Sequence, residues 1–147
     1  MEYIYILLAV LAGACAPTQA GINAQLNLWT NDPVLAALIS FFVGTLALVL
    51  FVIVMRIPLP ALSTASQLPW WQWTGGFMGA FLVAVTVLLA PKLGATTMIA
   101  FFVAGQMAAS LILDHFGLIG YHGHPVNFWR LTGAGLLVAG VIMIEKF

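Results

Sequence analysis

Residues 33–55 read PVLAALISFFVGTLALVLFVIVM, an apolar run without one charged side chain. The hydrocarbon core of a bilayer is about 30 Å thick, and roughly 20 helical residues cross it. This run is long enough to span. Pro33 stands at its first helical position, where a missing N–H costs nothing, and Asp32 precedes it as an acceptor for the free N–H groups of the first turn. At the far end Arg56-Ile57-Pro58-Leu59-Pro60 places two residues that cannot donate to the helical ladder, so they predict the stop.

Working outward, similar punctuation divides the rest of the 147 residues into four further runs, predicting helices over 3–28, 72–90, 95–114 and 128–144 beside 33–55. Thr30-Asn31-Asp32-Pro33 and Pro91-Lys92-Leu93-Gly94 read as tight turns. The interval 61–71 is the longest polar one and leads into Pro69-Trp70-Trp71-Gln72-Trp73, whose indoles favour the headgroup level. Residues 115–127 hold the Gly, His and Pro of a loop. Composition agrees, with 63% hydrophobic residues, 5% charged and a mean hydropathy of +1.12, where soluble domains carry about a quarter charged residues. The expected fold is an all-α membrane protein, residues 1–147 forming a single five-helix transmembrane domain. No Lys or Arg precedes the first apolar stretch, so it is read as a retained span and not as a cleaved leader.

Five spans put the termini on opposite faces. Arg56 and Arg130 then flank one face and Lys92 and Lys146 the other, leaving almost none of the positive bias that fixes orientation. Such a chain is expected to insert both ways and to pair antiparallel with itself, giving an inverted homodimer of ten helices. Inverted repeats are common in secondary transporters, where the solute site lies at the midplane between them. No internal repeat is visible, so the second repeat is another copy or a paired homologue.

Several function classes fall away. Net charge is zero and no basic cluster occurs, which argues against nucleic acid. The lone Cys15 cannot form an intrachain disulfide. No nucleophile and base pair, nucleotide-binding loop or haem-ligand pair is present, so no enzyme and no cofactor are expected. His115, His122 and His124 lack acidic or cysteine company at ligand spacing, and no metal is expected.

Polar residues inside spans cost free energy unless satisfied, and here they form stripes. Gln19, Asn23 and Asn27 recur every four residues in helix 1, with Thr30 closing the face; Gln106, Ser110 and Asp114 repeat the spacing in helix 4. Each stripe begins near mid-span and runs to one end, as residues lining a watery vestibule do. In an antiparallel pair the stripes predict two half-channels meeting near Gln19 and Gln106. The candidate solute-binding residues are Gln19, Asn23, Asn27, Phe102, Gln106 and Ser110, with Ile99 and Phe102 on the apolar side. Asp114 is the candidate coupling group, or else a partner for Arg130. The competing reading is that the amides glue helices together, each for about 0.6–2 kcal/mol. Pro17 frees the Gly13 carbonyl and is a candidate hinge. Gly75, Gly76 and Gly79, like Gly133, Gly135 and Gly140, are expected to let helices approach closely.

At these residues the chain resembles a known family. Gln19-Ala20-Gly21-Ile22-Asn23-Ala24-Gln25-Leu26, the Pro69-Trp70-Trp71 segment followed by Gly75-Gly76, the run Ala104-Gly105-Gln106 with Ser110, and Asp114-His115-Phe116-Gly117-Leu118 are similar to the YdcZ-like family of small bacterial inner-membrane proteins, within the drug/metabolite transporter superfamily. The resemblance implies a secondary transporter or exporter in the bacterial inner membrane, in a family whose members occur as single five-span chains, as pairs and as fused ten-span chains with inverted halves. The small multidrug exporters of that superfamily use a glutamate within the first span. This chain has none there, so cationic drug/proton exchange does not carry over.

The leading expectation is a homodimeric secondary transporter moving a small polar or amphipathic solute by alternating access. The alternatives are a non-transporting assembly subunit, whose stripes only join helices, and a lipid-handling protein such as a scramblase.

Overall fold

The structure, a computed structural model, describes residues 2–147, and among these residues the regular elements are all helical. They are α1 (Glu2–Thr30), α2 (Pro33–Val54), a single turn α3 (Leu62–Ala65), α4 (Gly75–Leu93), α5 (Ala95–Phe116) and α6 (Phe128–Lys146), with 3-10 turns at Trp70–Thr74 and Leu118–Gly120. Five helices are long and apolar enough to cross a membrane, the Trp70–Thr74 turn running straight into α4 as part of the third. The five expected apolar helices are present, and their shifted boundaries have local causes.

The start of α2 follows the expected chemistry. Asp32 Oδ1 accepts from the backbone N–H groups of Val34 at 2.8 Å and Leu35 at 3.0 Å. Its end does not. The helix stops at Val54 because Arg56 takes a left-handed φ of 51°, letting Arg56 N–H reach the Ile53 carbonyl at 3.1 Å and Ile57 N–H the Val52 carbonyl at 3.0 Å. That pair of reversed bonds is a Schellman ending, so Pro58 and Pro60 follow a helix already closed.

α4, by contrast, runs past its expected end at Ala90, passing through Pro91 to Leu93. In the last turn Pro91 forfeits only the one bond to the carbonyl four residues back. The stop is Gly94, whose φ of +75° only glycine adopts without strain. α5 extends two residues beyond Asp114 to Phe116 and ends at Gly117, φ +60°, placing Asp114 and His115 inside its last turn. α1 is longer than expected at both ends and continues unbroken through Pro17. Thr18 Oγ1 donates to the Ala14 carbonyl at 3.0 Å just beyond that proline.

The chain forms two compact units, one through Lys92 and the other Leu93–Phe147. In the first, α1 and α2 pack as a hairpin. Its buried side chains include Ala20, Ala36 and Ala37, small groups that let backbones approach where no hydrophobic drive separates helix from lipid. In the second, α5 packs on α6. Within the most apolar stretch of each span only 6% to 11% of residues are buried. The remaining apolar surface is what lipid or further helices cover.

Candidate functional site

Polar side chains collect in two places, one in each unit. In the first, Gln19 of α1 and Ser40, Phe41, Gly44, Thr45 and Leu48 of α2 line an open groove of ≈ 200 Å³. These α2 positions occupy the middle turns of its helix, Pro33–Val54, so an amide and two hydroxyls are offered at mid-span depth. Gly79 of α4 makes room for the Phe41 ring, since a Cβ there would come to 3.3 Å from Phe41 Cζ.

One turn beyond Gln19, Asn23 is 3% exposed. Its Nδ2, together with Asn27 Oδ1 a further turn on, is buried without a hydrogen-bond partner among the described residues. Leaving a buried donor or acceptor unmade costs about 1–3 kcal/mol. Helix glue that met no partner would be a cost without return. Thr30, the last member of this stripe, is engaged otherwise: its Oγ1 donates to the Asp32 carbonyl at 3.0 Å and helps fix the turn into α2.

In the second unit the polar groups satisfy one another. Arg130 Nη2 donates to Asp114 Oδ2 at 2.6 Å, and Nη1 donates to the His124 carbonyl at 2.8 Å. The Asp114 backbone carbonyl accepts from His124 N–H at 2.8 Å, while His115 Nδ1 accepts from Val126 N–H at 3.1 Å. Asn127 caps α6, its Oδ1 accepting from Arg130 N–H at 2.9 Å. These bonds strap the segment 117–127 across the shared end of α5 and α6.

A groove of ≈ 230 Å³ opens beside the ion pair, lined by Met107, Ser110, Leu111, Asp114, Arg130, Gly133 and Ala134. A second, of ≈ 350 Å³, lies against Arg130 with His124, Pro125 and Asn127. Of the helix 4 stripe, then, the structure brings Ser110 and Asp114 into one groove, and Gln106 stands exposed outside it. Phe102 and Ile99 are half-buried on α5 and line neither groove. Gly75 and Gly76 have nothing within 4 Å of where a Cβ would stand. Among the described residues no three His, Cys, Asp or Glu side chains converge as a metal site.

Sequence reasoning missed Ser40 and Thr45, which are five residues apart and form no stripe. It noticed Arg130 as a charge flanking a span and as a partner for Asp114, and missed that Arg130 borders both of these grooves.

A family profile described as "Putative inner membrane exporter, YdcZ" matches residues 4–143. The "Inner membrane protein YdcZ" of Escherichia coli K12 is 35% identical over 83 residues, 55% of this chain and 54% of that protein. The chain thus spans about half the length of this relative. No solved structure matches it.

Proposed function

The chain belongs to the YdcZ family and is a multi-pass inner-membrane protein, and on that premise we propose that it is a secondary exporter of a small polar or amphipathic solute, working by alternating access between two oppositely oriented copies. The observation that carries this reading is the polarity at the middle of the α1/α2 hairpin. Gln19, Ser40 and Thr45 line a groove there, and Asn23, one turn further, keeps a buried donor unspent. Amides that merely joined helices would be hydrogen-bonded to them. A solute, or the partner copy that completes its site, supplies the missing bonds.

The even charge split and the sparsely buried spans support pairing with a second copy, since apolar faces left open by one chain are available to another. Asp114 is the candidate coupling group, and because it is paired with Arg130 a coupling cation acts there only when the guanidinium gains another anion.

Two measurements test the reading. Paired reporters fused after Phe147, one active inside the cell and one outside, should both give signal, shifted one way by an added lysine in a single loop; one reporter alone overturns self-pairing. The purified chain should change its melting temperature with some small solutes, and Gln19→Leu or Thr45→Val should remove the response. Co-purification with a larger complex and no solute response would instead establish an assembly subunit, and movement of labelled lipid in vesicles a lipid-handling protein.

A further inference from the structure

The outer end of the α5/α6 hairpin sets two opposite charges in the wall of one small groove. Asp114 and Arg130 are 2.6 Å apart, with 25% and 33% of their side-chain surface exposed. Neither is spent. Of the five N–H donors on a guanidinium, the chain engages one with Asp114 and one with the His124 carbonyl, and among the described residues Asp114 Oδ1 accepts nothing. The same groove offers the Ser110 hydroxyl one helical turn from Asp114, an apolar wall of Met107 and Leu111, and a floor kept low by Gly133.

Charge balance decides what such a groove accepts. A solute carrying only a carboxylate takes Arg130 and strands Asp114 beside a second negative charge. One carrying only an ammonium takes Asp114 and strands Arg130. Separating a partly buried pair by supplying one partner leaves an uncompensated charge, which is the strongly unfavourable outcome. A solute with both charges escapes it. Its carboxylate meets the guanidinium with the two parallel hydrogen bonds that geometry favours, its ammonium meets Asp114, and each protein charge exchanges one partner for another.

We propose that this groove binds a small zwitterion bearing an apolar side group, the chemistry of an apolar α-amino acid. The side group lies along Met107 and Leu111, and the ≈ 230 Å³ available limits it to a small one. Because Arg130 also holds His124, a ligand that draws the guanidinium toward its own carboxylate loosens the 117–127 strap, coupling occupancy to the opening of this end of the hairpin. The ligand's role as transported solute rests on the exporter reading above; its binding does not.

The test uses the full chain in a neutral maltoside detergent, with melting temperature followed against leucine, N-acetylleucine and leucinamide at matched ionic strength. Leucine should stabilise in a concentration-dependent way, with an apparent affinity about tenfold or more better than either singly charged derivative. Gly133→Leu places a side chain in the groove while leaving the ion pair's own residues alone, and nothing lies within 4 Å of a Cβ at that position; with its unliganded melting temperature unchanged, the variant should lose the response. No leucine response in the native chain, a response to either derivative as strong as that to leucine, or an undiminished response in Gly133→Leu overturns the proposal. Radiolabelled leucine in vesicles separates the two readings. Binding without movement leaves the site standing and removes leucine export, whereas movement of other solutes by a chain blind to leucine removes the site and leaves the exporter.

Discussion

The α1/α2 hairpin buries Asn23 and leaves its Nδ2 without a partner, whereas the α5/α6 hairpin spends its most polar side chains on one another. The first is closed by alanines, with Ala36 fully buried and Ala37 nearly so, and gains its cohesion from close approach. The second is tied at one end by an ion pair and by bonds to backbone carbonyls. The difference separates two uses of polarity in an apolar fold: a buried group left unpaired holds a place for something else, and a pair closed on itself holds a shape until a ligand offers both charges a substitute. Substitutions that act on cohesion alone, or on the held place alone, tell the two apart.

The largest effect should come from closing off the close approach. Ala36→Leu forces extra methylenes into a site with no exposed surface, and overpacking of this kind costs about 1–3 kcal/mol, here expected near the top of that range. Unfolding in detergent should show the loss, and the same substitution at exposed Ala108 should be silent. If Ala36→Leu is tolerated, the first hairpin is looser than its buried alanines imply.

Next is Arg130→Gln, which removes the bonds to Asp114 and the His124 carbonyl together. Since the pair is a quarter to a third exposed, water screens part of it, and the expected loss is about 2 kcal/mol. Hydrogen exchange should rise in 117–127 and not in α1 or α2. Asp114→Asn should cost less, because Arg130 Nη1 still donates to the His124 carbonyl.

The third contrast runs the other way. Asn23→Leu deletes a buried donor that no described residue satisfies, so stability should stay within about 1 kcal/mol of the native chain or improve. Solute response should disappear. A destabilisation instead, with the response intact, would show that Asn23 joins helices and would erase the contrast between the hairpins.

These contrasts also mark where the letters of the sequence stop. The start of α2 was legible because Asp32 and Pro33 act through their own side chains on adjacent backbone, and the five spans were legible because apolar length needs no partner. The Schellman ending at Arg56 was not, because it depends on an arginine accepting a left-handed φ that prolines nearby made look unnecessary. Pro91 misled for a related reason: proline breaks a helix interior, and in a last turn it removes only one bond. The spacing rule found Ser110 and Asp114 but also gathered Gln106, which stands outside their groove. Ser40 and Thr45 escaped it, since their site is completed by Gln19 on another helix. The 117–127 strap was the least legible of all, because two of its acceptors are the carbonyls of Asp114 and His124, and every residue has a carbonyl.

That strap supplies the smallest test. Ile119 sits in the left-handed region at φ 56°, where a β-branched residue is strained by roughly 1–2 kcal/mol. Ile119→Gly removes the strain but gives the unfolded chain more freedom to lose, about 0.5–1 kcal/mol, so a net gain of a few tenths to about 1 kcal/mol is expected. The gain should appear only while the strap is tied. Combined with Arg130→Gln, which frees the segment to relax, Ile119→Gly should lose most of its benefit, and the two effects should fail to add. Strict additivity would mean that the strain at Ile119 is held by the turn itself, and that the ion pair at the end of α5 and α6 does not govern the segment it touches.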